Sequence, residues 1–115
     1  MPERDDSAYL GHMLDTARKA VAKIADKSRS QFDTDEDLQI VMTHLIQVIG
    51  EAASRVSKQT RGDHPQVPWV EIVGMRHRVV HDYMNVDYDI VWDVACNKLP
   101  RLIGFLEPLV PPEEQ

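Results

Sequence analysis

LQIVMTHLIQVIGEAASRV, residues 38–56, places Leu38, Val41, Leu45, Val48, Ile49, Ala52 and Val56 at steps of three and four. Those steps collect the apolar side chains on one stripe of a helix and so predict a helix with one buried face. The acidic run Asp33 to Asp37 precedes it, where the positive end of a helix dipole favours negative charge. Asp33, Asp35 and Asp37 also copy the first three ligand positions of a calcium loop. Leu38 stands where that loop needs glycine and His44 where it needs its closing glutamate, so the run reads as an acidic helix start. Gly50, inside the helix, costs about 1 kcal/mol relative to alanine and is expected to let another backbone come close.

Upstream, Leu10, Met13, Leu14, Ala17, Val21 and Ile24 form a second helical stripe from Asp6 to about Ala25, with Asp5, Asp6 and Ser7 as cap candidates. It ends in the polar run Asp26 to Gln31. Downstream, KQTRGDHPQV at 58–67 contains Gly62 and Pro65 and reads as a loop. The RGD within it has no surroundings that suggest adhesion. Pro68 suits the first position of a third helix carrying Trp69, Ile72, Val73, Met75, Val79 and Val80. After a break at Met84 and Asn85, Asp87 is placed to cap a last helix with Ile90, Val91, Val94, Leu99, Leu102, Ile103 and Leu106. Pro100 should kink that helix and the PLVPPEEQ tail should end it. There is no internal repeat and no alternating strand pattern of any length. The expectation is one all-α domain over residues 1–115, a four- to five-helix bundle.

Composition narrows the function classes. With 43% hydrophobic and 28% charged residues the chain is apolar enough to fold. No run approaches the ~18 apolar residues of a membrane span, and MPERDDSAYL opens with charges where a signal peptide is apolar, so a soluble cytoplasmic protein with no membrane partner is expected. Cys96 is the single cysteine, which excludes an internal disulfide and a cysteine metal cluster. Thirteen Lys plus Arg against 19 Asp plus Glu give a net charge of −6. A body of that sign repels nucleic acid, so any such binding needs a local patch. Arg76, His77, Arg78 and His81 supply one, with Lys98 and Arg101 as extensions.

Residues 76–83, RHRVVHDY, set two arginines, two histidines, an aspartate and a tyrosine within about two helical turns. On a continuous helix His77 and His81 share a face. Guanidinium grips phosphate oxygens in a fixed fork and histidine exchanges protons near neutral pH, so the pairing suits phosphate chemistry. Solvated arginines and locally bonded histidines are the plain alternative. The His77/His81 spacing also matches paired zinc ligands, but the glutamate that follows the first histidine in metalloproteases is Arg78 here, which repels a cation. No metal or other cofactor is expected. Trp69 and Trp92 read as core or dimer interface, and Gly74 as a close helix contact.

Arg76, four residues, His81, one residue, Tyr83 resembles the R-x4-H-x-Y motif of HepT-like toxins in the HEPN superfamily. The segments VIGEAASRVS (48–57), HPQVPWVEIVGMRHRVVHDY (64–83) and VDYDIVWDVACNKLPRLI (86–103) extend the resemblance over nearly the whole chain. At His77 many relatives have asparagine. The resemblance implies a HEPN-like bundle that dimerises and brings two R-x4-H segments into one cleft. It also implies metal-free RNA cleavage by the toxin of a type VII toxin-antitoxin system. The implied partner is an MntA-like nucleotidyltransferase antitoxin that silences the toxin by adding AMP to Tyr83, in an assembly of dimer size or larger. Arg76 and His81 are then the catalytic pair, with His77, Arg78 and Asp82 as secondary RNA-binding residues. The rival expectation is a non-catalytic HEPN module that binds and assists a nucleotidyltransferase.

Overall fold

The structure is a computed structural model that describes the backbone of residues 2–82 and 85–115, and their side chains apart from 2–5, 76, 81 and 82. Its main helices are α1 (Pro2–Ile24), α3 (Glu36–Arg55), α5 (Trp69–Val79) and a last helix made of α6 (Tyr88–Asp93) and α7 (Leu99–Leu106). Short helices α2 (Arg29–Asp33) and α4 (Lys58–Asp63) fill the connections. The four long stripes read from the sequence are the four long helices, and the fold is an all-α, HEPN-like bundle. α3 packs on α1 and on α5, while α7 packs on α1. Met13, Leu14, Met42, Ile46, Ile49, Val79, Val91, Leu99 and Leu106 meet in the core.

The caps follow local chemistry. Asp35 accepts from the Leu38 N–H and Asp87 from the Ile90 N–H, so the acidic stretch before α3 is a helix start. Two helical turns lie where the sequence suggested none. Ser28 and Gln31 form a reciprocal capping box that starts α2, whose Phe32 is fully buried. Ser57 caps α4 through the Thr60 N–H, so the RGD tripeptide belongs to a helix and not to a loop. The kink expected at Pro100 is realised as a π turn over Val94–Lys98, where the Leu99 N–H reaches back to the Val94 carbonyl. Pro100 has no N–H to donate and its ring would strike the carbonyl four residues back, and the wider turn absorbs both defects.

Asp6 was expected to cap its own helix. It lies inside α1 and instead joins α1 to the start of α4, its buried carboxylate accepting from the Ser57 N–H (2.8 Å), the Ser57 hydroxyl (2.6 Å) and the Thr60 hydroxyl. Burial pushes its carboxyl upward, but the Ser57 and Thr60 hydrogen bonds and the charge of Arg61 outweigh that and hold it below the usual carboxylate range. A depressed folded-state value means stability that is complete above the unfolded value near 4 and is lost as pH falls through the lower folded value. Asp6→Asn should therefore cost about 2 kcal/mol at neutral pH, the scale of hydrogen bonds to a charged group. Urea melts of both proteins should show the gap closing below about pH 4, the carboxylate's titration range.

Candidate active site

The helix expected to continue past Val80 toward the break at Met84 and Asn85 stops at Val79. Val80–Asp82 is a strand, β1, paired antiparallel with β2 (Asn85–Val86), with Val80 opposite Val86 and Asp82 opposite Asn85. The Asp87 N–H donates to the Val79 carbonyl (2.7 Å), so the returning chain satisfies one of the acceptors that the end of α5 leaves open. The adjacent β-branched residues Val79 and Val80 suit the change from helix to strand.

That switch alters the geometry of the RHRVVHDY segment. Arg76, His77 and Arg78 sit on the last turn of α5, while His81 and Asp82 sit on β1. His77 and His81 thus do not share a helix face, and the helical spacing behind the paired-ligand idea is gone. Among the described residues no cluster of three or more His, Cys, Asp or Glu is placed to hold a metal. Tyr83 lies outside the described residues, as do the side chains of Arg76, His81 and Asp82.

The two described polar side chains of the segment diverge. His77 is exposed and opens onto a groove against α3, lined by His44, Gln47, Val48, Glu51 and Val80. Arg78 points around the helix to Glu71, whose Oε1 lies 3.9 Å away and also binds Lys98 Nζ at 2.7 Å. Glu71 therefore offsets charge on the side where Lys98 was to extend the basic patch. Arg101 is exposed and lines a separate, more apolar groove between α5 and α7. Glu51, inside the His77 groove, is paired with Arg55 at 3.0 Å; hydrogen bonds that the guanidinium donates to Glu51 and Tyr9 hold it above its usual range.

Two other readings are decided by packing. Trp69 is buried with its Nε1–H donating to the His64 carbonyl, and Trp92 stacks at a tilt on Phe32, so both tryptophans serve the core. A side chain at Gly74 would meet no atom within 4 Å, so that glycine is not required for a close contact among the described residues. His44 and Gln47 are the groove residues missed in the sequence. Their signal was the polar series His44, Gln47, Glu51 at steps of three and four, running beside the apolar stripe of α3.

Comparison with known proteins adds the family. A protein of Methanocaldococcus jannaschii named as a putative RNase is 29% identical over 110 residues, covering 96% of this chain and 91% of the relative. One of the same description from Caldanaerobacter subterraneus subsp. tengcongensis is 33% identical over 94 residues, covering 82% and 84%. A "Probable ribonuclease HepT" of Thermococcus cleftensis is 28% identical over 100 residues, covering 84% and 91%. No solved structure matches. The family described as "Ribonuclease HepT-like" matches residues 13–109, a span that runs from within α1 past the end of α7 and contains the whole R-x4-H-x-Y segment, and the chain belongs to that family.

Proposed function

We propose that this protein is a metal-independent endoribonuclease, the toxin of a type VII toxin-antitoxin pair, acting in the cytoplasm as a homodimer. The observation that carries the reading is Arg76-x4-His81-x-Tyr83 intact inside a family match that spans residues 13–109. RNA supplies its own nucleophile, so the protein needs only to move protons and stabilise charge. His81 takes the proton of the ribose 2′-hydroxyl as that oxygen attacks the adjacent phosphorus. Arg76 holds the scissile phosphate and the charge that develops on it. The phosphorus to 5′-oxygen bond breaks, the 5′-oxygen takes up a proton, and the products are a 2′,3′-cyclic phosphate and a 5′-hydroxyl. The second protomer's like pair completes the cleft and offers the acid. His77, Arg78 and Asp82 assist in holding RNA, and His77 has an open groove in which to do so.

Tyr83 is the residue we assign to AMPylation by a nucleotidyltransferase antitoxin. An adenylyl group two residues from His81 would bring both bulk and a negative phosphate to the place where RNA phosphate must sit. The test is a labelled RNA incubated in EDTA with protein shown by intact mass to be unmodified. Cleavage with cyclic-phosphate ends is expected, with the matching DNA left whole because it lacks the attacking hydroxyl. Cleavage of DNA, or a requirement for added divalent cation, overturns this mechanism. Incubation with the transferase and ATP should add AMP to the unsubstituted protein and none to Tyr83→Phe.

A further inference from the structure

We propose that His44 and Gln47 of α3, with Ile40, Val86 and Tyr88, form a subsite for the base of an RNA nucleotide flanking the scissile phosphate. The proposal rests on the ribonuclease reading and adds to it a place where sequence preference is set.

His44, Gln47, Val48 and Glu51 follow one another at helical spacing along a single face of α3. All four border the depression they share with His77 and Val80. The end of the face formed by His44 and Gln47 also borders a second depression, lined by Ile40, Thr43, Val86 and Tyr88 as well. His44 and Gln47 are common to both. Val80 and Val86, one at each depression, are paired across the hairpin. His81 directly follows Val80, so the first depression borders the strand that carries the proposed proton acceptor and the second borders the strand paired with it.

The second depression is built for a base, not a phosphate. Among the described residues no lysine or arginine lines it. Ile40, Val86 and Tyr88 give it an apolar side, and Ile40 is 57% exposed, one of two large hydrophobic side chains left so open among the described residues. The Tyr88 ring is half-buried and held edge-on to Phe32, which fixes it without hiding it. A flat aromatic or aliphatic wall suits the face of any base. The Gln47 carboxamide carries both donors and an acceptor, and imidazole carries one of each when neutral, which is what reading a base edge requires. Among the described residues neither side chain is engaged in a hydrogen bond or ion pair, so both are available to a ligand.

The test uses the full-length, unmodified protein and an RNA pool randomised around a cleavable linkage, comparing the unsubstituted chain with His44→Ala and Gln47→Ala. Both positions lie on the outer face of α3, and equal melting temperatures and equal oligomeric mass establish that the variants fold. Losing contacts to one base should raise KM roughly 5- to 50-fold while kcat stays within about 3-fold, the pattern of lost ground-state binding. Sequenced products of Gln47→Ala should lose base preference at one position beside the cut. An unchanged KM together with an unchanged cleavage profile overturns the subsite. So does a fall in kcat at constant KM, which would move His44 into the chemistry itself. Failure of the unsubstituted, AMP-free chain to cleave any RNA overturns the ribonuclease reading and the subsite with it, an outcome distinct from a cleaving enzyme whose preference the variants do not alter.

Discussion

Replacing His81 with alanine is expected to lower RNA cleavage about 10²- to 10⁴-fold, the range that loss of a positioned proton-transfer group produces. Arg76→Ala should cost a similar amount, roughly 10²- to 10³-fold, because it removes a fixed donor array aimed at charge that grows in the transition state. Arg76→Lys should recover only part of that loss, since an ammonium is a point charge without the planar fork that fits two phosphate oxygens. The two substitutions together should be little worse than the poorer single one, because both groups act in one step. Arg76 is on the last turn of α5 and His81 on the strand that follows it, and equal melting temperatures of the variants and the unsubstituted protein are the check that both fold. The measurement is initial rate on labelled RNA with protein whose mass shows no AMP. A His81→Ala protein that cleaves at the unsubstituted rate would transfer the weight to the non-catalytic module that binds a nucleotidyltransferase.

The long helices were legible because each has enough turns to repeat its apolar stripe; Leu38 to Val56 recurs through the whole of α3. The short ones were not, since α2 and α4 span five and six residues and cannot show a period. The information was present in another form. Ser28 with Gln31 is a capping-box pair, and Ser57 is a cap residue, but Gly62 and Pro65 nearby argued for a loop. The hairpin after α5 was hidden for a different reason. Val80–Asp82 and Asn85–Val86 are too short for alternation to register, and their pairing is extended by Asp87, whose N–H meets the Val79 carbonyl. At the site, the motif residues could be named from their spacing along the chain, whereas their division between helix and strand could not. His44 and Gln47 are 30 or more residues away in sequence from His77, and only the packing of α3 on α5 brings them to one groove.

Phe32→Ala is expected to destabilise the protein by about 3–5 kcal/mol, the range for removing a fully buried aromatic side chain and leaving its cavity. The ring is 0% exposed and meets Tyr88 edge-on at 6.0 Å and Trp92 at 5.3 Å. Arg29, on the same short helix, binds both Asp33 and Asp89. Helix α2 is thereby a clamp on α6, and α6 is the anchor from which the hairpin bearing His81 is suspended, through Asp87 at its cap. Stability and activity should then separate in a diagnostic way. Phe32→Leu keeps most of the apolar volume and should cost less stability than alanine, yet it removes the aromatic ring that meets the Tyr88 ring. Its cleavage rate should fall more than its melting temperature suggests when assayed well below the unfolding transition. Arg29→Ala breaks a solvent-screened ion pair, should cost far less stability than Phe32→Ala, and serves as the control for loss of charge without loss of packing. Chemical denaturation of the three variants beside the unsubstituted protein gives the energies, and RNA cleavage at a temperature where all are folded gives the rates. Phe32→Leu cleaving at the full rate would show that α6 holds the hairpin in place without the aromatic contact.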